Sequence, residues 1–465
     1  MLGPVLEVYL VWHPKDTASA AVAEALAEHF QGGAYAGLLA GSMEVYMRSA
    51  GWAAEDDAPR AVQWPGQAGV AGGLVPAQFV VVLALLGTAL NRAASTVADP
   101  WCAWFEAVNR AQTQDPAHVR VLAVRQGVSP SGRLARLIGA DQCLAEPDPH
   151  AELAEPATGL ICRDLVQALA RWISPVADER LQVFISHTKR QGTPAEPVAS
   201  LVAAVREVID AGRVSSFYDA HDLQPGERWD RALRDNAASC ALLALRTDLY
   251  ASREWCQREM FTAKLHGMPV VVLDALSNGE SRGSFLMDHT PRIPVRCDAQ
   301  GAWGRAPILR ALNLLADAWL QRVLWLRLQQ QAGSQGQLAR YWWAPQAPEP
   351  STLARWLTAP FGSSAGSSAG SSAGSSAGGS TGSSAGSSTG RGADSAAVAD
   401  RGARPGPGHA APRMPAQAPG SDLRILHPDP PLAEDERAAL QQLVALAGYG
   451  LLDLTTPRLM AARGG

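Results

Sequence analysis

The chain has 465 residues, 47% hydrophobic and 18% charged, with a formal net charge of -4 at pH 7. That length exceeds one ordinary core and predicts two or three domains with a sizeable buried interior. The mild acidity and scattered arginines exclude nucleic acid as the main partner, because phosphate binding needs a clustered basic face. Six cysteines, Cys102, Cys143, Cys162, Cys240, Cys256 and Cys297, stand at wide intervals without a CxxC pair. Neither a zinc knuckle nor a disulfide scaffold is indicated, and reduced thiols in a cytoplasmic setting are expected. The opening MLGPVLEVYLVWHPKD lacks a basic n-region and reaches Lys15 and Asp16 too early for a secretory signal. The longest apolar run, starting with Phe79 to Leu86, is far short of the roughly 20 residues that cross a bilayer, so no membrane partner is expected.

In chain order, LEVYLVWH from Leu6 to His13 has the β-branched and aromatic alternation of a strand, and a helix is predicted from Ala18 to Phe30. Then come the buried-strand run FVVVLALL at Phe79 to Leu86, the WCAWFE segment at Trp101 to Glu106, the strand VRVLAVR at Val119 to Arg125, and a helix around Leu160 to Ile173.

The same order returns after residue 178. Strands are predicted at Val183 to Ser186, Ser215 to Tyr218, Cys240 to Leu245, Pro269 to Asp274 and Ile293 to Cys297. Helices are predicted at Pro197 to Ala211, Trp229 to Ala238, Arg253 to His266 and Ala306 to Leu320, the last continuing to about Gln331. Alternating strands and helices with continuously apolar strands predict an α/β fold, a parallel sheet with helices on both faces. Ligands of such sheets gather outside the carboxyl ends of the strands, the edge to which Ser186, His187 and the loop from Asp219 to Gly226 belong.

Beyond the second unit, QLARYWWAPQAPEPSTLARW makes residues 331–361 a helical extension, with Trp342 and Trp343 as packing anchors. Residues 362–420 repeat GSSA units and then mix Gly, Ala, Pro and Arg, a composition unable to offset its ordering entropy and therefore expected to be a disordered tether. As a random coil of about 60 residues its span would be roughly 45 Å. Residues 421–465 offer a short strand, a Pro-rich turn and one amphipathic helix, too little for an independent core, and end as if entering a further domain.

Four signals, LQVFISH, FYDAHDLQPGERW, ALLALRTDLYAS and WCQRE, lie in this order between Leu181 and Glu259. Together they resemble a TIR (Toll/interleukin-1 receptor) domain of bacterial type. The resemblance implies a flavodoxin-like sheet at residues 179–330, and makes residues 1–178 a degenerate TIR-like copy used for assembly or sensing. In that copy Val11 stands where Ser186 would, no Pro-Gly loop follows the helix, and Glu106 lies five residues after Trp101 instead of four, which turns its carboxylate to another helix face.

The resemblance further implies that Glu259 sits where catalytically active members place the carboxylate that helps cleave nicotinamide from NAD, which is then a substrate and not a cofactor. Ser186, His187, Asp219, Arg228, Ser252 and Trp255 become substrate contacts, while Leu223, Pro225 and Gly226 form the loop that gates the pocket and joins neighbouring copies into a homo-oligomer under an unidentified activator. Each residue also has a plainer reading. Ser186 suits a turn or helix start, and His187 a solvated strand end. Pro225-Gly226 suits a type II turn, Ser252 a helix cap, and Glu259 a surface charge. Asp219, His221 and Asp222 share one loop without further ligands, so no metal is expected. No Walker loop, GxGxxG, HExxH or GxSxG is present. Cys256 lacks a paired histidine and reads as packing. Two functions follow: an NAD hydrolase or cyclase acting as an assembly-activated effector in antiphage defence, or a non-catalytic adaptor that signals through protein contacts.

Overall fold

The computed structural model describes residues 3–32, 35, 42–51, 57–67, 75–139, 143–144, 157–177, 179–188, 198–211, 236–280, 282–332, 340–358, 414 and 420–463. Its first unit is a parallel sheet of β1 (Leu6–Val11), β2 (Met43–Arg48), β3 (Phe79–Leu86), β4 (Val119–Arg125) and β5 (Cys143–Leu144), in the order β2-β1-β3-β4-β5. This is the doubly wound, flavodoxin-like order, with its reversal between β1 and β3. Every residue of β1 and β3 is buried, as expected of strands covered on both faces. Alternation divides them: Leu6, Val8 and Leu10 face α1 (Thr17–Gln31), while Tyr9 and Val11 face α2 (Thr88–Ser95) and α3 (Pro100–Gln114). α3 starts sharply because the Asp99 carboxylate accepts the Trp101 amide at 3.0 Å and Pro100 needs no donor in the first turn. A short helical turn, α4 (Leu134–Leu137), and α5 (Ala157–Ile173) complete the unit.

At the carboxyl edge of this sheet the Asp16 carboxylate accepts the amides of both Ala89 and Leu90 at 2.9 Å, capping α2 from more than seventy residues away. A Cβ on Gly87 would stand 2.3 Å from the Asp16 Cγ, so glycine is what lets the carboxylate approach. The helix end that could meet an anionic ligand is thus filled from within. Asp16→Ala is expected to lower stability by about 1–2 kcal/mol, the cost of a lost cap, measured by urea unfolding.

The second unit shows β6 (Val183–Ser186), β7 (Ala241–Arg246), β8 (Val270–Asp274) and β9 (Arg292–Pro294), all parallel and paired in that order. Helices α6 (Val198–Ala211), α7 (Glu254–Leu265) and α8 (Arg305–Ala332) cover it. The last predicted strand is shorter than expected, because after Val295 the chain turns into a bridge between Cys297 and Trp303. α8 runs for 28 residues without a break, so the boundary expected at residue 330 falls inside its last turn. The predicted strand at 215–218 and the helix over 229–235 lie outside the described residues.

α5 and α8 pack against each other and merge the interiors of both units into one core. Polar ties run along this junction: Arg163 Nη1 donates to Asn313 at 2.7 Å, Arg327 donates to the carbonyls of Ile173 and Ser174 at 2.6 and 2.9 Å, and Asp317 accepts from Tyr35 at 2.8 Å.

The C-terminal residues do not stand alone. β10 (Trp342–Trp343) pairs in parallel with β11 (Leu423–Leu426), which pairs with β12 (Leu452–Thr455). α9 (Pro350–Thr358), α10 (Glu434–Leu446) and α11 (Pro457–Arg463) accompany this sheet. Thus the residues expected as a helical extension contribute a strand, and the tail supplies two strands and two helices to a core shared with them. Trp343 and Trp342 lie 4.9 Å, ring to ring, from Trp325 and Trp356 respectively. Among the described residues no helix is long and apolar enough to cross a membrane.

Candidate active site

Ser186 is the last residue of β6, in register with Ala244 of β7, so its side chain emerges at the carboxyl edge of the sheet. From β7 the chain passes through Thr247 and a single 3-10 turn, Tyr250–Ser252, into α7. The buried side of α7 is made by Cys256, Glu259, Met260, Ala263 and Lys264. Glu259 is 9% exposed, and its Oε2 accepts the Ser186 hydroxyl at 2.6 Å. The Tyr250 hydroxyl, wholly buried, lies 2.7 Å from the same Ser186 oxygen. Serine has one proton to give, and it goes to the carboxylate, so tyrosine donates to serine and the chain of protons runs Tyr250 to Ser186 to Glu259. Burial first, then the nearby Cys256 and Glu259, hold the Tyr250 phenol well above its ordinary range, which keeps it a donor.

A carboxylate this far from water is costly unless hydrogen-bonded, and here the donor is Ser186 at the strand end, itself backed by Tyr250 of the turn. The arrangement presents a fixed, partly desolvated negative charge at the sheet edge where ligands of such folds bind. It can stabilise a developing positive charge or accept hydrogen bonds from hydroxyls.

Around this centre His187 sits half-buried with Nδ1 3.1 Å from the Thr188 carbonyl, and Cys256 Sγ lies 3.7 Å from the His187 carbonyl. Burial, with the Glu259 charge second, pushes the Cys256 thiol up to about 12. At pH 8 only about one such thiol in ten thousand is ionised. Iodoacetamide should therefore modify exposed Cys297 and spare Cys256, read by peptide mass mapping; early modification of Cys256 would show a reactive nucleophile.

Trp255 does not join the buried group. It is 47% exposed, with the Arg258 guanidinium 5.0 Å from its ring centre. Ser252 departs from its expected role as a helix cap: α7 begins after Arg253 with no side-chain cap, and the Ser252 hydroxyl donates to the Leu249 carbonyl at 2.7 Å. The intervening 3-10 turn uses that serine one step too early for it to reach the helix amides. Asp219, Leu223, Pro225, Gly226 and Arg228 lie outside the described residues.

Sequence reasoning passed over Tyr250 and a second polar cluster at the same sheet edge. Arg246, closing β7, donates to Glu280 at 2.9 and 2.5 Å and to Asp274 at 3.2 Å. Asp248 accepts the amides of Ser277, Asn278 and Gly279. Its slight burial opposes ionisation, but these bonds outweigh it and hold the carboxyl below its ordinary range. The only signal for Tyr250 was an aromatic with a polar tip in a turn, which is unspecific. Among the described residues no group of three His, Cys, Asp or Glu stands close enough to hold a metal ion.

No family model and no curated protein matches the sequence. Among solved structures, the crystal structure of tagatose-6-phosphate ketose/aldose isomerase from Escherichia coli is similar over 70% of this chain and 84% of that chain, at 12% identity and a TM-score of 0.19. A likeness that slight carries no argument about function.

Proposed function

We propose that the second unit is a TIR domain that cleaves the nicotinamide-ribose bond of NAD, with Glu259 as the acting carboxylate. The observation that carries this reading is the burial of Glu259 at the carboxyl edge of the parallel sheet, with Ser186 donating to it at 2.6 Å. Nicotinamide leaves a cationic pyridinium as a neutral molecule, so the bond breaks without a general acid, unlike an ordinary glycoside. What remains is to stabilise the oxocarbenium-like ribose, which an anionic Glu259 does electrostatically, until water, or the adenine in a cyclising enzyme, bonds to the ribose carbon and gives up a proton where the attacker is water. Ser186, His187, Ser252, Trp255, Asp219 and Arg228 complete the site in this reading, and Leu223, Pro225 and Gly226 mediate assembly of copies. The first unit is a degenerate copy of the same plan: Val11 takes the place of Ser186 and is fully buried, and Glu106 is engaged by Arg133. The chain then acts on the cytoplasmic NAD pool as an assembly-triggered effector, in bacterial defence against phage.

A second reading, a non-catalytic adaptor, draws support from the exposed aromatics Trp255 and Phe285, which suit a docking surface. Overexpression separates the two: cellular NAD falls with the parent chain and is preserved with Glu259→Ala if the enzyme reading holds. An adaptor leaves NAD unchanged in both.

A further inference from the structure

The helix that carries Glu259 is held at its other end by the C-terminal unit. Lys264, 3% exposed, donates to Glu349 Oε1 at 2.6 Å and to the Asp288 carbonyl at 2.7 Å. Lysine occurs only at Lys15, Lys189 and Lys264 in a chain that otherwise uses arginine, and this one lies buried at the joint. The Trp356 indole donates to the Leu265 carbonyl at 3.4 Å. Gly267, at φ +64, passes so close to Pro345 that a Cβ there would stand 2.3 Å from the proline Cβ. On the far side His289 lies 2.9 Å from Glu436, whose carboxylate also accepts the Ala433 amide at the start of α10.

Beside its packed aromatics the joint leaves space unfilled. A cleft of about 360 Å³ runs through it, lined by Lys264, His289, Trp325, Gln346, Glu349 and Pro430 among others. Among the described residues, Glu349 Oε2 and Gln346 Nε2 are buried in it without a hydrogen-bond partner. Unfilled space beside a few specific contacts is where a packed interface yields first, so Lys264, Trp356 and Gly267 carry the hold on the helix. Five residues, about 7.5 Å of rigid helix, separate Lys264 from Glu259.

We propose that residues 340–358 and 420–463 form a clamp on α7, whose seating sets the position of Glu259 against Ser186. The functional consequence rests on the reading of Glu259 given above; the mechanical coupling does not. Hydrogen exchange on the full chain tests it, comparing the parent with Glu349→Ala, which removes the buried partner, and with Gly267→Ala, which wedges the joint without unpairing a charge. Both variants should raise exchange of the amides in the last turn of α7 together with those of β11 and β12, by about tenfold, while β6 and β7 keep their protection. Faster exchange in β11 and β12 with α7 unchanged, in whichever variant is folded, overturns the proposal. Nicotinamide release followed on the same samples should fall with the loss of protection. A parent that never releases nicotinamide refutes the enzyme reading alone and leaves the exchange result to decide the clamp.

Discussion

Glu259→Gln is expected to lower nicotinamide release from NAD about a thousandfold while leaving the fold intact, in line with the loss of one well-placed electrostatic group. Glutamine keeps the shape and still offers an oxygen to the Ser186 hydroxyl, which now lies 2.6 Å from the carboxylate. What it removes is the negative charge facing the sugar as the nicotinamide departs. Because that charge sits in a site only 9% exposed, water screens it little, and its loss is felt mainly in the transition state. The binding constant for NAD should therefore move little while the rate collapses. A purely structural Glu259 predicts the opposite, a change in unfolding free energy with the rate of the folded variant nearly unchanged. Glu259→Ala is the less clean variant, because it also orphans the Ser186 hydroxyl and opens a void.

Lys264→Met should cost about 3–5 kcal/mol of unfolding free energy, the usual penalty for leaving one partner of a buried pair uncompensated. The side chains of Lys264 and Glu349 are 4% and 10% exposed, so solvent screens little of their interaction. Burial already pushes the Glu349 carboxyl up and the Lys264 ammonium down, with their mutual attraction opposing both. Once the lysine is gone, burial and Asp288 push the Glu349 carboxyl up against His289 alone. A raised folded-state value stabilises the fold fully below the ordinary glutamate range near about 4.3, and that stability is lost as pH rises through the folded value. The deficit of Lys264→Met should therefore be smaller near pH 4 than at pH 7, and Lys264→Met combined with Glu349→Leu should recover most of it. Urea unfolding at the two pH values measures both effects; a small, pH-independent loss would mean the pair is wet and carries little.

The elements legible in the sequence were those whose environment is uniform along the strand. FVVVLALL became β3 with the expected bounds because a continuous apolar run is covered on both faces, and VRVLAVR became β4 because its stretch from Val121 to Val124 is buried although Arg120 is exposed. β2 was invisible: MEVYMR is a half-buried edge strand whose Glu44 and Tyr46 bond each other, so its polar residues mask the pattern. α2 has only eight residues and is capped by Asp16 of a distant segment, so no local start signal exists. The C-terminal sheet was hidden for the same reason, since β10 and β11 meet across some eighty residues of intervening chain. At the candidate site, Ser186 and Glu259 were each picked out by pattern, and the structure brings them into contact. Tyr250 and the Lys264-Glu349 pair escaped, because a turn aromatic and a helical lysine have many commoner uses and their partners lie 64 and 85 residues away.

The most direct measurement is a proton NMR time course of NAD mixed with the concentrated full chain under crowding, following the resonances of free nicotinamide. If Glu259 is the acting carboxylate of an NAD-cleaving enzyme, nicotinamide accumulates with the parent protein and not with Glu259→Gln. An assembled parent that leaves NAD intact, or a glutamine variant that matches the parent, would contradict it.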